Sequence, residues 1–380
     1  MKKNTTIILV FLFCGLGALS FWHTQKNTPG SDRVFETMGS QSAQAKEEEV
    51  LAVREKRMVE HVKGIYLTAS SANTTKKMDE MVALINKTEL NAVVIDIKDY
   101  TGRILYDSHI PMVDELHTER VVMKDVPALL QKLHDNNIYV IARQTVFQDP
   151  ILAQKKSDWA IKSKRGGIWK DHKGLPWVDP TKQEVWEYNV AIAKEAIALG
   201  FDEINFDYVR FPSDGNMADV VYTTKNKQRN DVMREFYTFL DTELSAEPAW
   251  MSLDMFGFVM ERHDGMSIGQ RLEDAVDHTD FVSPMMYPSH YPAGHLGLKN
   301  PAAAPAAVFD NGMKKGLPYF ENKRAKVRPW IQAFHIGAQY GGKNIRAQID
   351  TIEKYPNAGW LMWNAANRYT GDGLKVGNEE

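Results

Sequence analysis

From residue 61 onward, short apolar runs alternate with longer segments whose apolar positions recur at helical spacing. The strand-like runs are 62–68, 92–99, 138–145, 203–210, 250–257, 281–288, 328–335 and 359–366. Each is rich in β-branched, aromatic or aliphatic residues and is too short for an ordinary helix. Segments 75–86, 126–136, 181–199, 230–244, 267–277, 302–315 and 343–355 follow the helical period. Asp125 caps the second of these with Pro127 in its first turn, and Gly200 ends the third. Strand, helix, strand order implies parallel pairing through right-handed crossovers, and eight parallel strands suffice to close a barrel. The expectation is one α/β domain, a (β/α)8 TIM barrel, over 61–370, with 371–380 as a C-terminal tail. An open doubly wound sheet is the competing architecture, but no Gly-rich phosphate loop follows an early strand.

The N-terminus breaks the pattern. Lys2 and Lys3 precede the uncharged apolar run 7–22, so residues 1–23 read as an export signal or a retained membrane anchor. Either places the protein outside the cytoplasm, secreted or attached to the membrane by this segment. Phe13 ahead of Cys14 does not suit a lipid-attachment site, which wants a small residue there. Residues 24–60 are polar, with a charged stretch at 46–49, and read as a linker or exposed helix. Cys14 is the single cysteine, so the folded part has neither disulfides nor a thiolate metal site. The net charge of −3 and the lack of a basic, aromatic-interleaved block argue against a nucleic-acid partner. No HExxH occurs, so neither a metal nor another cofactor is expected.

Polar residues near strand ends carry the candidate chemistry, because charge inside a barrel strand is costly and marks the active face. Side chains alternate along a strand, which puts Asn205 and Asp207 on one face and Ile204, Phe206 and Tyr208 on the other. Ser252 and Asp254 share a face on the next strand, so Asp207 and Asp254 are expected side by side in the barrel mouth. Two such carboxyls are what glycoside hydrolysis uses, one ionised and one holding a proton for the leaving oxygen. Asp96, Lys98 and Arg143 are candidate substrate-positioning groups, as are Arg210, Tyr287, Gln332, His335 and Asn364. The long connections 147–180 and 211–227 are expected to build the cleft, with Trp169 and Trp177 as sugar-stacking platforms or as pins for the loop.

The strings Gly64-Ile-Tyr-Leu-Thr68, Val94-Ile-Asp-Ile-Lys-Asp99, Phe206-Asp-Tyr-Val-Arg-Phe-Pro212 and Gly359-Trp-Leu-Met-Trp-Asn364 resemble a family of exported bacterial proteins classed as glycoside hydrolases. The resemblance runs from Val62 to about Arg368 and implies a carbohydrate-active TIM barrel. The order is also distantly similar to α-amylase-type barrels, in which an Asp ending the fourth strand is the nucleophile, a role Asp207 matches. Those enzymes place a Glu acid after the fifth strand and an Asp after the seventh. Here those positions offer Asp254 and only Gln332 and His335. The expected function is an exported glycoside hydrolase acting on a polysaccharide or oligosaccharide. A barrel that binds glycan without cleaving it is the alternative, and a metal-dependent phosphate-ester hydrolase a third.

Overall fold

The computed structural model describes residues 54–224 and 226–377. The export or anchor segment and most of the expected linker lie outside the described residues. Among the described residues no helix is long and apolar enough to cross a membrane.

Eight strands form the barrel: β1 (Val62–Leu67), β2 (Ala92–Lys98), β3 (Tyr139–Thr145), β4 (Glu203–Asp207), β5 (Trp250–Phe256), β6 (Phe281–Met285), β7 (Trp330–Gln332) and β8 (Gly359–Trp363). Each pairs in parallel with the next, and β8 pairs back to β1, which closes the ring. The main crossover helices are α1 (Thr75–Lys87), α2 (Val126–Asp135), α3 (Gln183–Leu199), α4 (Arg229–Leu244), α5 (Leu272–Ala275), α6 (Pro305–Gly316) and α7 (Gly342–Ile352). Asp125 caps α2 by accepting from the Ala128 amide at 2.9 Å, and Gly200 ends α3 in the left-handed region.

Apolar residues fall into two sets, as strand alternation requires. Ile65, Val93, Val140, Ile204, Phe206 and Leu253 face the helix layer. Tyr66, Val94, Ile141, Trp330 and Leu361 fill the interior. The interior also encloses an ion pair. Arg328 donates to both carboxylate oxygens of Glu203, one bond being 3.0 Å, and neither side chain is exposed. Tyr139 and Ser252 add hydroxyl donors at 3.1 and 2.5 Å. On the outside, residues 54–60 are tied down rather than free. Arg54 and Arg57 reach Asp202 at 3.1 and 3.5 Å, and Arg57 also donates to the Ile138 carbonyl. The tail is bound as well: Lys375 pairs with Glu353, and its amide donates to Glu89.

Element boundaries depart from the sequence expectation where single residues forbid continuation. β4 stops at Asp207 because Tyr208 adopts φ 55°. The expected seventh strand, 328–335, shortens to β7, and Pro329, which lacks the amide a ladder needs, separates β7 from a short strand at Lys326–Val327. Between β2 and α2 lie elements that the periodicity does not reveal: Ile104–Tyr106, antiparallel to β2, helix Pro111–Leu116, and Glu119–Met123. Their runs are too short to display a period.

The interior ion pair yields a stability prediction. Glu203→Gln is expected to cost about 3–5 kcal/mol, since it strands the Arg328 cation without water. The paired replacement Glu203→Leu with Arg328→Met should recover most of that loss. Denaturant unfolding of the parent and the variants measures both.

Candidate active site

At the C-terminal end of the barrel four strands bring charged side chains together. Arg143, inward on β3, is their common partner. Its Nη1 donates to Asp96 Oδ1 on β2 at 2.6 Å, and its Nη2 donates to Asp207 Oδ2 on β4. Its Nε lies 3.9 Å from Asp254 Oδ2 on β5 and has no hydrogen-bond partner among the described residues. All four side chains are buried, though Asp207 keeps 6 % of its surface. Burial opposes the Arg143 charge, but Asp207 and Asp96 outweigh it and hold the guanidinium firmly protonated.

The two expected acids sit in contrasting surroundings. Both oxygens of Asp207 accept hydrogen bonds, Oδ1 from the Tyr208 amide at 2.6 Å and Oδ2 from Arg143. Asp254 Oδ1 accepts from Trp330 Nε1 at 2.7 Å and Asn205 Nδ2 at 2.9 Å, both neutral donors. Its Oδ2 accepts no hydrogen bond among the described residues and is the oxygen left for a proton. Burial pushes the Asp254 carboxyl up to about 8, and the negative charge of Asp207 adds to the rise against the pull of Arg143. At neutral pH Asp254 therefore holds its proton. Burial also raises Asp96, which accepts from Tyr66 Oη at 2.5 Å and from Arg143.

Of the sequence candidates, Asp96, Arg143, Asn205, Asp207, Asp254 and Tyr287 converge here. Burial, then Asp254 and Asp207, push the Tyr287 phenol far above its usual range, so it remains a donor facing the acids. Arg210 sits at the rim, packed on Trp177, Tyr208 and Phe256.

The other candidates lie outside this cluster. Lys98 does not share the face of Asp96: an irregularity in the β2–β3 pairing between them turns it to the helix layer. There it pairs with Asp149 at 2.7 Å and donates to Asn189 on α3. Trp169 and Trp177 are buried pins, not platforms. Trp169 donates to the Asn216 carbonyl and lies over Gly215, where a Cβ would fall 2.6 Å from the ring; Trp177 donates to Asp171. They bind the 147–180 connection to itself and to the loop after β4, helped by pairing of Lys162–Ser163 with Val220–Val221. Gln332 is spent on the Ser289 amide and the Phe334 and Ile336 carbonyls. His335 accepts from the Tyr340 amide, and Asn364 bonds Ala333, Ala366 and Arg368 backbone.

Three aromatic residues not singled out from the sequence belong to the mouth. Tyr66 stacks on Trp363 with centroids 3.9 Å apart, and the Arg143 guanidinium lies 5.2 Å from the Trp363 ring. Trp330 meets Trp363 edge to face and anchors Asp254. Trp363 stays half-exposed, as does Phe334 beside Tyr287. The inward alternation of Tyr66 along β1 is the signal that could have found it.

The closed ring of eight parallel strands with intervening helices is a (β/α)8 barrel with charged side chains gathered at its C-terminal strand ends. The chain belongs to the family described as "Putative glycosyl hydrolase domain", whose model matches residues 64–369. Its fold is similar to the PgaB (BpsB) glycoside hydrolase domain of Bordetella bronchiseptica. The identity is 10%, the TM-score 0.59, and the match covers 82% of this chain and 95% of that one. An α-galactosidase of Thermus thermophilus is 11% identical with TM-score 0.52, over 84% of this chain and 65% of that one. At such identities the likeness concerns the fold alone. A hypothetical protein from Ruminiclostridium thermocellum is 39% identical, matching 50% of this chain and 96% of that chain with TM-score 0.47. No curated protein matches the chain.

The Asp254 environment makes a pH prediction about stability. In the unfolded chain this carboxyl ionises near 3.8, whereas in the fold it keeps its proton to about 8. Across that window the folded state binds more protons, so stability falls as pH rises, by about 1.4 kcal/mol per pH unit at most. Asp254→Asn removes this dependence. Its melting temperature relative to the parent is expected to climb between pH 4 and pH 8, and a constant difference in thermal unfolding curves would contradict the assignment.

Proposed function

We propose that this protein is an exported glycoside hydrolase that cleaves an extracellular or cell-wall polysaccharide with Asp207 and Asp254. The observation that carries the reading is the pairing of acids in unlike surroundings around one arginine. Asp207 accepts from a cation and an amide, as a carboxylate does, while Asp254 is buried against neutral donors. Asp254 gives its proton to the leaving oxygen, and Asp207 attacks or stabilises the oxocarbenium-like centre. Arg143 orients Asp207 and offsets its charge. Trp363 and Phe334 offer faces on which a pyranose ring stacks. Lys2, Lys3 and the apolar run that follows support action outside the cytoplasm, either secreted or membrane-attached.

A barrel that binds glycan without cutting it is favoured by one observation, the tight clamp of Arg143 on Asp207, which occupies one carboxylate oxygen. Reducing ends released from a panel of soluble wall polysaccharides separate the two readings. In the hydrolytic reading, Asp207→Asn and Asp254→Asn each lower kcat by about 100-fold or more. A 2,4-dinitrophenyl glycoside, whose leaving group needs no proton, should restore the Asp254→Asn variant and not Asp207→Asn. The parent's kcat/KM should fall above a pH of about 8, where Asp254 loses its proton. Undiminished turnover in Asp207→Asn removes that residue from the mechanism, and retention of glycans without any released ends supports the binding reading.

A further inference from the structure

Arg143, Arg210 and Arg328 are the buried arginines among the described residues. Arg143 and Arg328 bind carboxylates. Arg210 pairs with none among the described residues. Its Nη1 donates to the Phe211 carbonyl at 3.0 Å and, more weakly, to Ser213 Oγ at 3.4 Å. Nε and Nη2 carry no hydrogen bond among the described residues, yet the residue retains 8 % of its surface. That unused edge is the one that grips a planar carboxylate with two parallel bonds.

The plane of the guanidinium is set before any ligand arrives. Trp177, Tyr208 and Phe256 place their ring centroids 4.9, 5.4 and 4.8 Å from its central carbon. Aromatic faces support the charge without consuming a donor. Burial lowers the Arg210 pKa, while Tyr208 and the Asp207, Asp214 and Asp171 charges act to raise it. An arginine so placed stays protonated. A buried cation lacking its own anion is costly, and that cost is recovered when a bound anion completes the pair. Its place in the fold suits anion capture beside the acids. Asp207 lies three residues upstream on β4, and Phe256 ends β5 two residues after Asp254.

We propose that Arg210 forms a carboxylate-binding subsite beside the acid pair, so that the glycan taken by this barrel carries acidic sugars of the uronate kind. This inference rests on the hydrolase reading for the site's purpose, but its recognition chemistry is separable.

The test compares charge at constant sugar. Oligogalacturonate, oligoglucuronate and oligomannuronate are each titrated as free acid and as methyl ester into the full-chain Asp207→Asn protein, with heat and thermal shift as readouts. At least one free acid is expected to bind about tenfold more tightly than its ester, with the difference shrinking at high salt. Arg210→Gln in that background should erase the acid-over-ester ratio. Arg210→Lys keeps the charge without the fork, and should retain the salt dependence while losing most of the ratio. Should the glutamine variant not fold, the lysine variant carries the comparison. Absence of any acid preference, or its survival in Arg210→Gln, overturns the subsite. If a neutral glycan is cleaved in an Asp207-dependent way with no acid preference, the subsite fails and the hydrolase reading stands. If the Arg210-dependent acid preference appears while Asp207→Asn still cleaves, the subsite stands and the proposed mechanism fails.

Discussion

The Arg143 guanidinium is the constraint on which the rest of the mouth depends. One planar group on β3 reaches carboxylates from the strands on either side of it, and stands 3.9 Å from a third on β5. Without a cation there, Asp96, Asp207 and Asp254 would be three acids buried together, and mutual repulsion would force protons onto more than one of them. With it, the site resolves into unlike states. The oxygens of Asp207 accept from the guanidinium and a backbone amide, while Asp254, whose donors are a side-chain amide and an indole, keeps its proton. Position within the guanidinium's reach therefore divides two chemically identical residues into separate roles.

Those roles extend downward through the barrel. Asn205 Nδ2 bridges Asp254 to Ser252 Oγ at 3.0 Å, and Ser252 donates in turn to Glu203, which Arg328 neutralises. A continuous polar file thus joins the acid to the buried ion pair beneath it. Filling that space with aliphatic side chains would suit stability better than a buried ion pair. The file instead fixes the rotamers of Asn205 and Ser252 and so fixes the oxygen of Asp254 that accepts. The long loops contribute differently. Trp169 and Trp177 secure the segment between β3 and α3 against the segment after β4, and Trp177 provides one wall of the Arg210 cage.

Much of this is legible along the chain because barrel strands obey a period of two. Eight apolar runs locate eight strands, and alternation alone puts Asp207 and Asp254 on inward faces of neighbours, where the register sets Asn205 opposite Ser252. Alternation fails where the period itself is broken. The irregularity after Asp96 sends Lys98 to α3, and nothing in the local composition announces it. Size misleads for the tryptophans, since a large ring in a long connection serves equally as a platform or a pin, and burial decides. Gln332 and Asn364 fall at strand ends as expected, yet adjoining backbone amides and carbonyls take up their polar atoms, and His335 has its Nδ1 engaged by the Tyr340 amide. Tyr66, Trp330 and Trp363 do not stand out in the sequence because aromatic residues are ordinary strand formers, and only their inward direction makes them part of the site.

The buried arginines differ in what they leave unspent. Arg328 is doubly bound to Glu203 with no exposure, so it has nothing to offer a ligand. Arg143 has its Nε without a partner among the described residues, 3.9 Å from Asp254 Oδ2, and its charge is already divided among carboxylates. Arg210 alone combines burial, an aromatic cage and an unused edge. A cation that served only to hold the loop would be expected to have found one of the nearby acids, as the others did. Asp171 is within electrostatic range, yet it accepts from Trp177 and from the Lys173 and Leu175 amides instead. The loop is thus folded by groups that leave the Nε and Nη2 edge of Arg210 without a partner among the described residues, which is the edge the proposed carboxylate subsite uses.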